Sequence, residues 1–99
     1  MASSIIGSDH PALPGHFPGH PVVPAALLLA RVSGAARVAH PGLMVRGIRK
    51  AKFLRALAPD EPFEIALEAV ADDGLRFVCR GEAGVIAEGR LTVVHAAHD

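Results

Sequence analysis

The chain has 99 residues, of which 51% are hydrophobic and 20% charged, and its ten basic side chains balance ten acidic ones. This composition predicts one soluble globular domain over residues 1–99, and the zero net charge excludes a broad electrostatic attraction to nucleic acid or anionic membranes. Cys79 is the only cysteine, which excludes an intrachain disulfide, disfavours a zinc site built on thiolates and favours a reducing compartment.

The N-terminal residues 1–7 contain a short candidate strand around Ile5. They lack the basic start and long apolar run of an export signal. Nowhere does the sequence approach the roughly 18 consecutive apolar residues that a membrane span needs. We therefore expect a cytoplasmic protein that does not enter a membrane.

A proline-dense segment, residues 7–24, leads into a single long helix. Its prolines exclude regular helix and central strand. Pro24 then opens a run of good helix formers, residues 25–39, with proline at the first helical position, and the sequence His-Pro-Gly at 40–42 ends it. Residues 25–30 are apolar on every side of this helix, so a curled sheet would have to surround it. The predicted helix is therefore buried.

The rest of the chain predicts four strands joined by turns. The first covers residues 44–54. In residues 63–70 apolar and polar positions alternate, and the predicted buried face consists of Phe63, Ile65, Leu67 and Ala69. Residues 75–82 and 85–95 form two further strands after glycine-containing turns. The predicted fold class is α+β: a short strand, a loop, one buried helix and an antiparallel meander.

The segment directly before the helix reads Gly15-His16-Phe17-Pro18-Gly19-His20-Pro21-Val22-Val23-Pro24. It resembles the active-site motif of the bacterial 3-hydroxyacyl-acyl-carrier-protein dehydratases. Residues 48–60 are similar to the strand and turn of that family that contain Lys, Phe and Arg. The short chain and the sequence Asp-His-Pro at 9–11 look most like the compact branch used for specialised acyl chains such as aryl polyenes. The resemblance implies a single hot-dog domain, in which an antiparallel sheet wraps around one long central helix.

The resemblance also implies removal of water from a 3-hydroxyacyl thioester without a cofactor. His16 would be the base that takes the α proton. Backbone N–H groups around Gly19 and in the first helical turn would polarise the thioester carbonyl. The implied substrate-binding residues are Phe17, Gly19, Pro24, Ala25, Ala26 and Ala30.

The resemblance implies two kinds of partner. The 3-hydroxyacyl substrate would arrive on an acyl carrier protein. A second hot-dog subunit, identical or related, would form a homodimer or a heterodimer, because an open sheet leaves an edge and a groove that another copy covers.

The catalytic acid of the family is missing from this sequence. In the family, Glu or Asp lies about two turns into the helix, and the matching position here is Ala30, which cannot donate a proton. Losing one acid–base partner typically costs about 10²–10⁴-fold in rate. A dehydratase site could still be completed by a related subunit, or by Asp9 or Glu61 of this chain. The alternatives are a non-catalytic subunit that binds acyl chains or stabilises an active partner, and a thioesterase, for which the helix offers no carboxylate.

The remaining side chains of chemical interest have simpler interpretations. His10, His16 and His20 share no helical face and have no cysteine nearby, so no metal site is expected. Cys79 is predicted to be a buried strand residue. A basic cluster, either a solvated face or a docking surface for an acidic acyl carrier protein, is predicted at Arg49, Lys50, Lys52 and Arg55.

Overall fold

The computed structural model describes residues 2–7, 22–71 and 73–95. In these ranges one helix, α1 (Ala25–Ala39), packs against one antiparallel sheet. The strands are β1 (Ala2–Ser4), β2 (Leu43–Phe53), β3 (Phe63–Ala71), β4 (Gly74–Gly81) and β5 (Gly84–His95). This architecture is the predicted α+β hot-dog class. The single domain over residues 1–99 stays a prediction.

Proline chemistry determines both ends of α1. Pro24 is the N-cap residue, one position before the place that the sequence predicted for it. Its carbonyl oxygen accepts hydrogen bonds from the N–H groups of Leu27 and Leu28 at 3.1 and 3.2 Å. At the other end His40 is the C-cap, and Pro41, which follows, cannot donate to a continuing helix.

The helix buries one stripe and leaves its other side open. Leu28, Val32 and Ala36, spaced four residues apart, are buried against the sheet. Ala25 and Ala30, by contrast, are exposed. The prediction of a helix buried on all sides was wrong for the single chain, because the sheet curls over one side of α1 only. The open side of the helix is still apolar at its N-terminal half.

The core lies between α1 and the inner face of the sheet. Burial of each large apolar side chain here contributes about 1.5–3 kcal/mol. The inner-face side chains that are at most 2% exposed include Ile65, Leu75, Phe77, Leu91 and Val93. Packing at Gly89 is so close that a Cβ atom would collide with the Lys50 carbonyl and lie 2.8 Å from the Phe77 ring.

The predicted buried face of β3 is only partly confirmed. Phe63 and Ile65 are buried, Leu67 is half-buried and Ala69 is exposed. Leu67 borders a groove beside α1. Burial of the inward-facing side chains therefore decreases along β3 from Phe63 to Ala69, because the helix does not extend over the far end of the strand.

The sheet order is β1-β3-β4-β5-β2. Strands β3, β4 and β5 form the predicted meander, but β2 does not join β3. Instead β2 pairs with β5 at the edge opposite β1. The chain runs from β1 at one edge of the sheet, through α1 on the inner face, to β2 at the other edge. Helix α1 contacts both β2 and β3 on the way. The predicted four-strand meander is corrected to three strands plus a crossover.

Candidate active site

The predicted site residues divide into two groups. His16, Phe17 and Gly19 lie outside the described residues. The others lie on or beside the first half of α1: Pro24 is the N-cap, Ala25 and Ala26 open the helix, and Ala30 follows on the open side. The structure thus places Pro24, Ala25 and Ala26 at the helix N-terminus and Ala30 farther along the same helix, where it lines a different cavity from Ala25.

The N-terminus of α1 has no capping group among the described residues. Pro24 provides no side-chain hydrogen bond, and no acidic residue lies in the first turn. Within the described part of the chain, no backbone oxygen accepts from the N–H groups of Ala25 and Ala26. These donors, together with the positive end of the helix dipole, can polarise a carbonyl oxygen that approaches the end of the helix.

A backbone hydrogen bond positions this helix end. The Val23 N–H donates to the Leu57 carbonyl oxygen at 2.8 Å, and both side chains are buried. A cavity of about 350 Å³ lies beside this contact. Its lining combines the start of α1 with the end of β2 and includes Val23, Ala25, Leu28, Phe53, Leu54 and Leu57. The cavity therefore lies beside the helix N-terminus and is lined mainly by apolar side chains.

An ion pair holds the loop that carries Leu57. Arg55 donates a hydrogen bond to Glu61 at 2.6 Å, and the second carboxylate oxygen of Glu61 accepts from the Ala58 N–H at 3.2 Å. The hydrogen bond from Arg55 holds the pKa of Glu61 below its ordinary value of 4.5. Glu61 is therefore ionised and engaged at neutral pH, so the structure does not support it as the missing acid. Asp9, the other carboxylate considered, lies outside the described residues.

Ala30 lines a second cavity, of about 510 Å³, between α1 and the β1–β3 edge of the sheet. No described residue of its lining carries a carboxylate; these residues are Ser3, Ser4, Ala30, Arg31, Gly34, Ala35, Val38, Ala39, His40, Ile65 and Leu67. We call this cavity the Ala30 groove. Its apolar wall is mostly the open side of α1.

Arg31 connects β1 to the helix beside the Ala30 groove. Its guanidinium donates to the Ser4 hydroxyl at 2.8 Å and to the Ile5 carbonyl oxygen at 3.0 Å. Arg31 is therefore not simply a charge on the exposed end of the helix, and the sequence does not reveal its acceptors because they lie 26 and 27 residues away along the chain. Only a pattern linking the N-terminal strand to the helix could have revealed the contact.

Two other sequence predictions can be compared with the structure. Cys79 is fully buried in β4, as predicted, and burial raises the pKa of its thiol to about 11, so it is not a reactive thiolate. Arg55, placed by the sequence in a basic cluster, is instead paired with Glu61. His10, His16 and His20 lie outside the described residues, so the expectation of no metal site stays a prediction.

The described residues contain no helix with the length and hydrophobicity required to cross a bilayer.

The sequence comparisons agree on one family. The family model described as ApeI-like, ApeI dehydratase, matches residues 2–90. The 3-hydroxyacyl-[acyl-carrier-protein] dehydratase FabZ of Syntrophotalea carbinolica is 33% identical over 101 residues, which cover 89% of this chain and 69% of the relative. FabZ of Desulforamulus reducens is 34% identical over 73 residues, which cover 66% of this chain and 51% of that protein.

Solved structures show the same fold. The dehydratase heterocomplex ApeI:P from Xenorhabdus doucetiae matches with a TM-score of 0.81 and 19% identity, over 94% of this chain and 84% of that one. An uncharacterized protein from Erwinia carotovora subsp. atroseptica matches with a TM-score of 0.78 and 20% identity, over 94% and 80% of the two chains. With the hot-dog architecture and the family model in agreement, this chain belongs to the ApeI-like dehydratase family.

Proposed function

We propose that this chain contributes to a site that dehydrates 3-hydroxyacyl thioesters on an acyl carrier protein to trans-2-enoyl thioesters, and that a second hot-dog subunit supplies the acid. The observation that carries this proposal is the Ala30 groove, which has no carboxylate in its described lining and lies along a helix whose first-turn N–H groups have no acceptor among the described residues. The names of the FabZ relatives support the reaction type.

The proposed reaction breaks the C2–H and C3–O bonds of the acyl chain and forms a double bond between C2 and C3. His16 takes the proton from C2 of the thioester, and the electron pair forms the double bond. The C3 hydroxyl leaves as water after it receives a proton from the partner's carboxylic acid. The N–H groups of Ala25, Ala26 and Gly19 stabilise the charge on the thioester oxygen. Phe17, Pro24 and Ala30 flank the acyl chain.

The edge strand β2 offers the means to bring in that partner. Among the described residues β2 pairs with β5 alone, so its other edge is free. Ile48 and Phe53 of this strand are each 44% exposed. A free, partly apolar edge of eleven residues is a template for pairing with another sheet. We infer that a homodimer or a heterodimer forms here, and the heterocomplex named for the ApeI:P structure supports the second form.

The test introduces a carboxylic acid at position 30, where the family has Glu or Asp. Dehydration of 3-hydroxyacyl carrier protein by the purified chain is followed by mass spectrometry for the loss of water. Ala30→Glu should raise the rate about 10²–10⁴-fold, the usual effect of one acid–base partner. Ala30→Gln, which has the same shape but no acidic proton at neutral pH, should not. The gain should disappear when His16→Ala is combined with Ala30→Glu.

Equal rates for the wild-type chain, Ala30→Glu and Ala30→Gln would contradict the missing-acid proposal. Fast turnover by the wild-type chain alone would contradict it too, and would point to an acid elsewhere in the chain, such as Asp9.

A second candidate function is a non-catalytic subunit that binds acyl chains or stabilises an active partner. The apolar wall of the Ala30 groove, with no carboxylate among its described lining residues, favours this alternative. It predicts that His16→Ala does not change the turnover of a mixture with an acid-bearing homologue. The shared-site proposal predicts that the same substitution lowers it.

A further inference from the structure

The Ala30 groove contains a half-buried cation, Arg31, that has no counter-charge among the described residues. Arg31 lines the groove, and no described residue of that lining carries a carboxylate. Neither salt bridge of the described residues includes Arg31. On the adjacent strand β3, Glu64 is exposed between the buried Phe63 and Ile65, so its side chain points to the outer face of the sheet, away from the groove. The described part of the chain therefore leaves this guanidinium without an anion beside apolar side chains.

The guanidinium of Arg31 is held in place through one of its nitrogens. Its Nη1 atom donates to the Ser4 hydroxyl at 2.8 Å and to the Ile5 carbonyl oxygen at 3.0 Å. All the nitrogens of a guanidinium carry N–H donors, and no described acceptor binds those on Nε and Nη2. Because the Ser4 oxygen accepts from Arg31, the Ser4 hydroxyl proton is left for another acceptor. Fixed donors of this kind are what a bound carboxylate requires.

The rest of the Ala30 groove is suited to an apolar tail. Its helix wall runs from Arg31 through Gly34 and Ala35 to Val38, and Leu67 lies on the sheet side. Val38 follows Arg31 by seven residues in α1, which corresponds to about 10 Å of helix and to a linear chain of about eight carbons at about 1.25 Å per bond. The cavity volume of about 510 Å³ lies in the usual range for small-molecule sites, about 300–1,000 Å³.

The same lining disfavours other classes of ligand. A guanidinium only donates hydrogen bonds, so it would repel an amine, and a neutral alcohol would leave its charge unpaired. A phosphate dianion would need a second cation, but Arg31 is the one Lys or Arg among the described lining residues. That lining also contains no Phe, Tyr or Trp on which a nucleobase could stack.

We propose that the Ala30 groove binds a free carboxylic acid with a linear apolar tail. Arg31 and Ser4 hold its carboxylate, and its tail lies along α1 toward Val38. A free acid lacks the thioester that the proposed reaction requires, so this binding does not depend on that reaction. A bound acid would occupy the space beside Ala30 and compete there with an acyl chain; this consequence rests on the proposed function.

The test measures the affinity of the full chain for octanoate by titration calorimetry at pH 7. Acetate, which lacks the tail, and octylamine, which reverses the charge, should each bind at least about tenfold more weakly than octanoate. Arg31→Gln should weaken octanoate binding about tenfold or more, because the hydrogen bonds to a charged carboxylate are lost. Arg46→Gln is the matched control, since Arg46 is exposed on β2 and does not line the groove. It should leave the affinity unchanged.

Gly34→Leu tests the position of the tail without removing a hydrogen bond. The nearest atom to a Cβ at Gly34 would be in the Arg37 guanidinium, at 4.0 Å, so a larger side chain can extend into the groove. Leucine forms helix better than glycine, so the Tm should not fall, whereas octanoate binding should weaken about tenfold. Gly34→Ala should also raise the Tm but should bind octanoate nearly as well as the wild type.

An absence of octanoate binding by the wild type would overturn the proposal, as would equal affinities for the wild type, Arg31→Gln and Gly34→Leu. Binding that is lost in His40→Gln but not in Arg31→Gln would overturn it too, because His40 also lines the groove. Octanoate binding that depends on Arg31 and position 34 would support the proposal even where a mixture with an acid-bearing homologue shows no dehydration. That combination would contradict the proposed reaction alone.

Discussion

Ala30 and Glu61 are the two described positions at which a carboxylate was considered for this site, and their surroundings differ. Ala30 lies on the open side of α1 and lines a groove without carboxylates among its described residues. Glu61 is a carboxylate, but Arg55 and the Ala58 N–H bind both of its oxygens. A general acid must hold a proton at working pH, and neither residue can do so. The dehydration proposed above would therefore need an acid from residues that the structure does not describe, or from another subunit.

The reactivity of the Cys79 thiol tests whether its side chain is buried in β4. Desolvation raises the pKa of its thiol from 9.0 to about 11, so the thiol keeps its proton at pH 8. Because alkylation requires the thiolate and access to it, we expect iodoacetamide at pH 8 to label native Cys79 far more slowly than the chain unfolded in guanidinium chloride. Mass spectrometry of the intact protein measures both rates. Equal rates in the native and unfolded chain would show that β4 does not bury this thiol.

At the scale of elements, the loop between β2 and β3 supports the helix N-terminus. Arg55 and Glu61 close this loop, and the Leu57 carbonyl within it accepts from the Val23 N–H. Gly81 of β4 leaves the space for the pair, since a Cβ atom there would lie 2.5 Å from the Arg55 guanidinium and 2.7 Å from the Glu61 carboxylate. The Arg55–Glu61 pair therefore helps connect β2 to Val23, which precedes α1.

The Arg55–Glu61 pair should make stability depend on acid pH. The pKa of Glu61 lies below its ordinary value of 4.5 in the folded chain. Its stabilising effect is therefore complete above pH 4.5 and is lost as the pH falls through the folded pKa. We expect Glu61→Gln to lower the Tm at pH 7, and this difference from the wild type to shrink as the pH falls below 4.5. Glu82→Gln, at an exposed turn residue, serves as the control and should show no such convergence.

At the scale of the whole molecule, two surfaces formed by the described residues are open for association. One is the free edge of β2 with its exposed Ile48 and Phe53; the other is the open side of α1, where Val38 is 83% exposed. Small domains bury a limited share of their surface on folding, and association adds to it. A second hot-dog subunit paired at β2 would extend the sheet and bring its own helix close to this one.

A charge placed on the β2 edge should disrupt this association. Ile48→Lys puts an ammonium group among apolar side chains that would face the partner, so the dimer should dissociate at concentrations where the wild type is dimeric. Val70→Lys is the control, because Val70 is similarly exposed at 37% but lies on β3, three strands away from β2 and its free edge. Sedimentation velocity gives the molar mass of each. A monomeric wild type, or a dimeric Ile48→Lys variant, would contradict pairing through β2.

The local chemistry of the sequence was sufficient to predict most elements of the fold. Pro24 and Pro41 bracket α1, and alternating apolar residues locate β3, β4 and β5 to within one or two residues. These signals work because prolines and the periodicity of side chains act over a few neighbouring residues. The segment 15–24 was singled out by its resemblance to the motif of a known family, which a contiguous stretch of sequence can show, although its central residues lie outside the described part of the chain.

Contacts between distant segments were decided by the tertiary structure. The sequence did not predict that β2 crosses to the edge beside β5, that Arg31 holds Ser4, or that Arg76 and Arg90 join Lys50 in one row. Nor did it show that one side of α1 stays open. Each of these depends on which strands are neighbours and in what register they pair, and register is a property of the assembled sheet that no single segment specifies.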